Sequence, residues 1–377
     1  MTVVFVGLRA GALDAAERMG IDVVAVTETA PGPNRAARLA ASVQVPFDAP
    51  AEAWGEAAWS LRTHRPAAVV ALTERSVLPA ARLRAGLGLD GLQPHAAHLC
   101  TDKRAMKRAV RAAGIAVADV VEADDGLSPD ALIERLGLPL VVKPVTGSGG
   151  RGTTVVRARA QLPGPLPEGW MAESFVDGVE MSVEAVGGGG AVWSNPTRYL
   201  VPMWASLVPT PPETPGLDAA LDLARAAREA LGVGRGMTHT EVFVTERGPV
   251  FGELAARPPG GHLMALVRHA YGVDPWEAVL RSELGEAHGL PARAARAAAA
   301  WIVHPGAGRV TRADGAETCW TLPGVEAVAL RVEPGDEVRA RAGSGEEVGH
   351  VIVTGETAAE AEARLRMARA ALHVEVA

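Results

Sequence analysis

The most informative segment of this chain is Leu138-Pro-Leu-Val-Val-Lys-Pro-Val-Thr-Gly-Ser-Gly-Gly-Arg-Gly-Thr-Thr-Val-Val156. The pattern predicts an apolar strand that ends at Lys143, a glycine-rich loop over 147–152, and a second strand over 153–156. Glycines let backbone N–H groups approach a polyanion closely, and Lys143 adds a positive charge beside them. Because a strand both enters and leaves, and no Gly-Lys-Ser/Thr follows the glycines, this is not a Walker loop. We interpret it as a hairpin that covers phosphates; the alternative is an ordinary glycine-rich hairpin.

A second pattern predicts a β-hairpin that turns at 246–248: Glu241-Val-Phe-Val-Thr-Glu-Arg-Gly-Pro-Val-Phe-Gly-Glu253. If Glu241 lies opposite Glu253, then Phe243 lies opposite Phe251. Opposed carboxylates repel each other unless a cation lies between them, and a site made of oxygen ligands suits Mg²⁺. The alternative is two solvated glutamates on an edge strand. Arg257 favours the metal site, because it follows Glu253 closely enough to reach the same anion.

Composition narrows the class of protein. The 377 residues suit two or three packed subdomains, and 48% hydrophobic with 21% charged residues is typical of a globular protein. The chain has no apolar run long enough for a membrane span and no signal-peptide pattern at its start. Cys100 and Cys319 have no metal-ligand spacing, and the net charge of −7 comes without a basic stripe. We therefore expect a cytoplasmic protein whose partners include neither membranes nor nucleic acid.

Alternating strand and helix patterns over about residues 1–95 predict an α/β lobe with a parallel sheet. Strands are expected at 3–6, 21–26 and 68–72, with a helix near 10–19. The turn Gly7-Leu-Arg-Ala-Gly11 lacks the Gly-x-Gly-x-x-Gly spacing, which argues against a dinucleotide site. Glu74 follows the third strand at the sheet edge where ligands bind; it is either a substrate contact or an acid that favours a helix N-terminus.

Further along the chain, polar and apolar residues alternate from Val179 to Ala185, which predicts a half-buried strand with Glu180, Ser182 and Glu184 on its polar face. From residue 300 onward the pattern changes to short strands and turns, followed by a helix over 357–372 and a last strand over 373–376. This C-terminal part is interpreted mainly as a structural cap.

Four motifs, in order, resemble those of the ATP-grasp carboxylate–amine ligases. They are Thr101-Asp-Lys103, Lys143 with the 147–152 loop, the segment from Met171 to Glu184, and His239-Thr-Glu241 followed by 253–257. The C-terminal part is similar to that of the L-amino-acid ligases in this family. The resemblance implies an α/β (α+β overall) ATP-grasp fold with three domains. These are a Rossmann-like domain over 1–95, an ATP-grasp domain over 96–300 with a lid over about 118–176, and a small β-rich domain over 301–377.

The resemblance also implies roles for individual residues. Arg257 would be catalytic, and Glu241 and Glu253 would hold one or two Mg²⁺ ions. Residues expected to bind ATP are Lys103, Lys143, Gly147, Ser148, Gly149, Gly150, Gly152, Glu173, Ser174, Val176 and Glu180. Candidates for substrate contacts are Glu74, Arg198, His239, Gly260 and Gly261, and the alternative for His239 is a core histidine.

One position departs from the family pattern. The family usually has Asn two residues after the second acidic ligand, whereas this chain has Ala255. The side-chain amide that would complete one metal shell is therefore missing. Both carboxylates and Arg257 are present, so we expect an active enzyme.

The resemblance implies a ligase that joins an amino acid or related carboxylate to an amine through an acyl phosphate, with release of ADP and phosphate. The substrates would be small molecules, and a homodimer stays open. Two alternatives remain: a purine-pathway ligase or carboxylase of the same fold, and a non-catalytic nucleotide-binding protein.

Overall fold

The computed structural model describes residues 1–377, except for the side chain of Asp124. The elements of the N-terminal lobe are β1 (Thr2–Val6), α1 (Ala10–Arg18), β2 (Asp22–Thr27), α2 (Pro33–Ala36), β3 (Ala41–Gln44), α3 (Ala51–Leu61), β4 (Ala68–Ala71) and α4 (Val77–Leu87). The four strands form a parallel sheet in the order β3-β2-β1-β4. Val4 and Val6 pack into one apolar cluster and Val3 and Phe5 into another, so β1 is buried on both faces. The predicted parallel α/β lobe is confirmed.

The next elements are α5 (Pro94–Thr101), α6 (Lys103–Ala112), β5 (Val120–Glu122), α7 (Pro129–Leu136), β6 (Leu140–Pro144), β7 (Thr154–Val156) and β8 (Trp170–Ser174). The strands form an antiparallel sheet in the order β5-β8-β6-β7. Leu140 pairs with Val156, so the predicted hairpin around the glycine loop is confirmed. We call residues 147–152 the glycine loop.

The central elements are β9 (Val179–Gly188), β10 (Ala191–Val201), β11 (Ala205–Val208), α8 (Leu217–Ala230), β12 (Gly236–Thr245), β13 (Gly248–Ala255), α9 (Leu263–Tyr271) and α10 (Pro275–Glu283). The C-terminal elements are β14 (Ala297–Val303), β15 (Gly308–Asp314), α11 (Ala316–Trp320), β16 (Val325–Leu330), β17 (Glu337–Val338), β18 (Gly349–Gly355), α12 (Ala358–Ala371) and β19 (His373–Val376). The predicted last helix and strand are confirmed.

The central and C-terminal parts share one sheet, in the order β13-β12-β9-β10-β11-β14-β18-β16. Its continuity depends on antiparallel pairing between β11 and β14, in which Ala205 lies opposite Trp301. Because the sheet crosses residue 300 without a break, the loop before β18 is held close to the central part. None of the described helices is long and apolar enough to span a membrane.

The register of the β12–β13 hairpin differs in part from the predicted one. Glu241 lies opposite Glu253 as expected, but the predicted pairing of Phe243 with Phe251 is wrong, because Val242 faces Phe251. Gly252 is the extra residue of a β-bulge at this point. A Cβ at Gly252 would lie 2.9 Å from the backbone oxygen of Glu241, so the bulge requires a glycine.

Candidate active site

The acid pair of the β12–β13 hairpin, Glu241 and Glu253, retains contact with solvent. The side chain of Glu241 is 37% exposed and that of Glu253 is 23% exposed. Strand β9 pairs with the other edge of β12 and brings Ser182 opposite Glu241. The hairpin therefore presents two carboxylates side by side at the edge of the central sheet.

Lys103 joins this acid pair to the glycine loop. It is the first residue of α6, which Asp102 caps by accepting a hydrogen bond from the backbone N–H of Arg104 at 2.9 Å. The Nζ atom of Lys103 donates to the backbone oxygen of Gly147 at 2.8 Å and lies 3.4 Å from Oε1 of Glu253. The Asp-Lys motif thus fixes the lysine at a helix start, where it reaches both groups.

Lys143 and Lys107 share one buried carboxylate. Lys143 Nζ lies 3.0 Å from Glu173 Oε2, and Lys107 Nζ lies 3.3 Å from Glu173 Oε1. Burial alone would raise the pKa of Glu173, but the two lysines outweigh it and lower that pKa. Lys107 is absent from the predicted site residues. Lys107 lies four residues after Lys103, so both lysines lie on one face of α6. This spacing is the feature of the sequence from which its place in the site could have been predicted.

Behind Glu241 lies a set of hydrogen-bonded side chains that we call the buried network. Glu184 is fully buried, and its Oε1 atom lies 2.8 Å from Nδ1 of His239. Nε2 of His239 lies 3.7 Å from Oε1 of Glu241. The hydroxyl of Ser182 donates to Glu184 at 2.7 Å. The network is completed by Asn195 and Thr197, which also donate to Glu184, and by Tyr271, which donates to Asn195.

Electrostatics keep this network charged. Burial opposes a positive charge on His239, but hydrogen bonds and charges from Glu184 and Glu241 outweigh it and raise the pKa of His239 to about 9. Burial also opposes the charge on Glu184, yet His239 lowers the pKa of that carboxyl.

The prediction of a half-buried strand is wrong at Ser182 and Glu184, because both residues are 0% exposed. The polar face of β9 is satisfied inside the protein because β10 and β12 supply partners for it.

Arg257 and Glu74 meet from different parts of the chain. Nε of Arg257 donates to Oε2 of Glu74 at 3.0 Å, and its NH1 group donates to the backbone oxygen of Pro258 at 3.1 Å. Burial raises the pKa of Glu74, although Arg257 opposes that shift. Thr73 precedes Glu74 and caps the short helical turn that begins with it. The N-terminal lobe thus supplies the anion that orients the guanidinium of Arg257.

The glycine loop makes contacts with the C-terminal part of the chain. The backbone N–H of Ser344 donates to the backbone oxygen of Gly149 at 3.1 Å. Arg151 NH2 lies 2.9 Å from Glu346 Oε1, and both side chains are well exposed, at 50% and 37%. The C-terminal part therefore touches the predicted phosphate-covering loop and does more than close the sheet.

The other predicted site residues lie in varied surroundings. Burial and then the charge of Glu241 raise the pKa of Glu180 to about 7. The Ser174 hydroxyl accepts a hydrogen bond from the backbone N–H of Asp119, which ties β8 to the segment before β5. Arg198 forms an ion pair with Glu362 of α12 at 3.2 Å. The remaining ones are Ser148, Gly150 and Gly152 in the glycine loop, Val176 after β8, and Gly260 and Gly261 before α9.

The carboxylate oxygens of the acid pair suit a cation whose other ligands are phosphate oxygens and water. Among the described residues, no group of three or more His, Cys, Asp or Glu side chains is arranged to hold a metal ion. Ala255, which is buried, has no oxygen in its side chain. Two carboxylates with room for phosphate oxygens and water are the way in which proteins usually hold Mg²⁺.

Comparison with known protein families agrees with this fold. Residues 108–266 match the model of the ATP-grasp domain, and residues 300–377 match that of L-amino acid ligase C-terminal domain 2. An ATP-grasp domain is therefore present, and the C-terminal part is similar to that of L-amino acid ligases.

Three curated relatives illustrate the range of similarity. An uncharacterized protein of Sinorhizobium fredii, y4rH, is 26% identical over 80% of this chain and 66% of its own length. The L-arginine-specific L-amino acid ligase of Bacillus subtilis is 25% identical over 56% of each chain. The formate-dependent phosphoribosylglycinamide formyltransferase of Burkholderia lata is 28% identical over 95% of this chain and 91% of its own. The chain thus spans about two thirds of the first relative and about half of the second.

Solved structures share the fold at low sequence identity. The L-amino acid ligase from Bacillus licheniformis has a TM-score of 0.80 at 21% identity and covers 100% of this chain and 98% of its own. The carboxyaminoimidazole ribonucleotide synthase from Aspergillus clavatus, solved with ATP, has a TM-score of 0.77 at 20% identity and covers 98% of this chain and 97% of its own.

Proposed function

We propose that this chain joins a carboxylate to the amine of an amino acid, through an acyl phosphate, with release of ADP and phosphate. The observation that carries the proposal is that three groups of side chains lie close enough to interact electrostatically. They are the acid pair Glu241 and Glu253, the lysine that links Glu253 to the glycine loop, and the guanidinium of Arg257 oriented by Glu74.

The lysines are suited to neutralising a triphosphate. Lys103 and Lys143 are 6% and 8% exposed, so their charges act in a medium of low dielectric constant. Each is paired with a glutamate, Lys103 with Glu253 and Lys143 with Glu173. Phosphate oxygens would compete for the same ammonium groups and draw them toward the nucleotide. The glycine loop would supply backbone N–H groups and exclude water.

Arg257 would stabilise the negative charge that moves during transfer. Its forked donors match phosphate geometry, and positioned cations supply most of the catalysis in phosphoryl transfer. Glu241 and Glu253 would hold Mg²⁺, whose chemistry here is to neutralise phosphate charge. His239 would keep Glu241 ionised and oriented from behind. Glu180 and the backbone of Glu173 to Val176 are the candidates for ribose and adenine.

The amino-acid substrate is supported by the C-terminal part. It matches the C-terminal domain of L-amino acid ligases, and its loop touches the glycine loop through Ser344 and Glu346. Glu74, Gly260 and Gly261 are the candidates for substrate contacts, because they adjoin Arg257 in space or in sequence. Arg198 is a weaker candidate, because Glu362 already pairs with it. A homodimer and a cytoplasmic location stay predictions.

A second candidate function is a purine-pathway reaction of the same fold. The formyltransferase relative aligns with nearly the whole chain, and the ATP-bound synthase has a TM-score close to that of the amino acid ligase. The match of residues 300–377 favours the amino-acid ligase. Both reactions consume ATP at the same acid pair and differ in the carboxylate and the amine.

The test is ADP release over pairs of amino acids, with nucleotides separated by chromatography and products identified by mass. We expect ADP, phosphate and a dipeptide or related amide for at least one pair, and none with Glu253→Gln. Release of AMP would overturn the acyl-phosphate route. ADP release that depends on bicarbonate or formate and a ribonucleotide amine would favour the purine-type reaction, and ATP binding without turnover of either set would indicate a non-catalytic protein.

A further inference from the structure

The turn Gly7-Leu-Arg-Ala-Gly11 of the N-terminal lobe lacks the glycine spacing of a dinucleotide site. Its Arg9 nevertheless contacts the segment that directly follows Arg257. Arg9, which precedes α1, donates from NH1 to the backbone oxygens of Pro258 at 3.1 Å and Pro259 at 2.8 Å. These two prolines directly follow Arg257. Their rings fix φ, so holding their carbonyl groups fixes the path of the chain at this point.

Arg9 and Arg257 share one acceptor. NH1 of Arg257 also donates to the backbone oxygen of Pro258, at 3.1 Å. Oε2 of Glu74 accepts a hydrogen bond from Nε of Arg257 at 3.0 Å. The guanidinium of Arg257 is thus oriented by one carboxylate and one carbonyl oxygen. The carbonyl oxygen of Pro258 that contacts Arg257 is therefore also held by Arg9.

Neighbouring residues hold the side chain of Arg9 in place. Its guanidinium carbon lies 4.8 Å from the centre of the Trp276 ring, which supports it from one side. Trp276 can occupy this position because Gly11 has no side chain: a Cβ there would lie 2.3 Å from Nε1 of the indole. Burial, followed by the charge of Arg257, lowers the pKa of Arg9 to about 10, so it remains a cation at neutral pH. The protein therefore keeps two guanidinium groups close together at some electrostatic cost.

We propose that Arg9 is a positioning residue, which acts on the reaction by fixing the Pro258 carbonyl oxygen and through it the guanidinium of Arg257. The inference rests on the role of Arg257 in the proposed function. It makes the 7–11 turn of the N-terminal lobe part of the catalytic machinery, with Gly11 and Trp276 as its support.

The first test is kinetic. Arg9→Ala should lower kcat by roughly 10- to 100-fold, as small misplacements of catalytic groups do, while the KM for ATP changes by less than about 3-fold. Gly11→Ala should lower kcat in the same way, because it displaces Trp276 without changing either arginine. Gly55→Ala is the matched control: this glycine lies in α3 of the same lobe, and a Cβ there meets no atom within 4 Å, so wild-type kinetics are expected.

A double-mutant cycle separates positioning from general damage. If Arg9 acts through Arg257, Arg9→Ala should cost much less in the Arg257→Lys background than in the wild type. Arg9→Lys, which can still donate to one carbonyl oxygen, should recover part of the loss. Equal losses in both backgrounds would overturn the proposal.

A readout without turnover tests the inference even if no substrate pair is found. Hydrogen exchange of the amides of Arg257, Gly260 and Gly261 should be faster in Arg9→Ala and Gly11→Ala than in Gly55→Ala and the wild type. If the wild type releases no ADP with any pair, the proposed function fails, while this comparison still tests whether Arg9 positions the segment after Arg257. Unchanged exchange over 256–262 in Arg9→Ala would refute that positioning role.

Discussion

The buried network and the glycine loop both adjoin the acid pair, but they are held in opposite ways. Glu184 and its partners Ser182, Asn195 and Thr197 are all 0% exposed, and the carboxylate of Glu184 accepts hydrogen bonds from each of them. The glycine loop accepts a hydrogen bond from Lys103 at Gly147, and on its C-terminal side it is held by a backbone hydrogen bond and by an ion pair between Arg151 and Glu346, which are both exposed.

This difference separates two requirements of the site. A buried charge network is costly to disturb, so we expect His239, which lies 3.7 Å from Glu241, to hold that carboxylate in place before any ligand arrives. Exposed ion pairs contribute little to stability, so the glycine loop can open and close at low cost, as nucleotide exchange requires.

The largest effect is expected at the acid pair. Glu253→Gln keeps the shape of the side chain but removes its charge, so ADP release should fall by at least about 10³-fold at saturating Mg²⁺. Glu246→Gln, in the exposed turn of the same hairpin, is the control and should behave as the wild type. Near-normal turnover of Glu253→Gln would refute the metal role of this pair.

The comparison itself is tested by two glutamate-to-alanine changes. Glu184→Ala leaves the cationic His239 without its buried partner and should lower the free energy of unfolding by about 3–5 kcal/mol. Glu346→Ala removes the exposed partner of Arg151 and an exposed acceptor for the backbone N–H of Ala342, and should cost about 1 kcal/mol or less. Denaturant unfolding of the two variants measures both values. Similar losses would mean that the network is no more rigid than the loop.

Arg257→Lys removes the forked geometry but keeps a positive charge. We expect kcat to fall by roughly 10²-fold, as for other groups that stabilise developing charge, with little change in ATP affinity. Arg247→Lys, in the exposed hairpin turn, is the matched control. A large loss of ATP binding with the chemical step intact would instead make Arg257 an anchor for the bound nucleotide.

A smaller effect is expected for opening of the glycine loop. Trypsin should cleave after Arg151 in the protein without nucleotide, and Mg²⁺ with ADP should slow this cleavage. Glu346→Ala should speed it by about 5-fold, because one exposed ion pair contributes at most about 1 kcal/mol. If nucleotide gives no protection, the loop does not close over phosphates.

The smallest effect concerns pH. His262, which follows Gly261, lies 3.4 Å from Glu347 and helps to lower the pKa of that carboxyl from 4.5 to about 2. Because the folded-state pKa is depressed, the contribution to stability is present above about pH 4.5 and is lost as the pH falls toward 2. Between about pH 5 and pH 3, the free energy of unfolding should therefore fall less steeply in Glu347→Gln than in the wild type. Parallel curves would mean that this ion pair contributes nothing.

Local patterns in the sequence predicted much of the fold. The strand pattern of β1, β2 and β4, the hairpin around the glycine loop and the pairing of Glu241 with Glu253 all follow from periodicity and from glycine positions. The sequence did not reveal β3, a four-residue edge strand with only alternate burial. It also misplaced Phe251, because a bulge at one glycine shifts every later pair by one residue.

The sequence by itself determined which chemical groups are available: a lysine beside a glycine-rich loop, another lysine at a helix start, two glutamates on one hairpin, and an arginine just beyond them. Their order along the chain carries this information because each motif is local. Only the tertiary structure decided which partners these groups have. Glu74 meets Arg257 across 183 residues and Arg9 meets Pro258 across 249, and Lys107 shares Glu173 with Lys143. Such pairs depend on how the lobes pack, and no local pattern records which distant residue will face a buried charge.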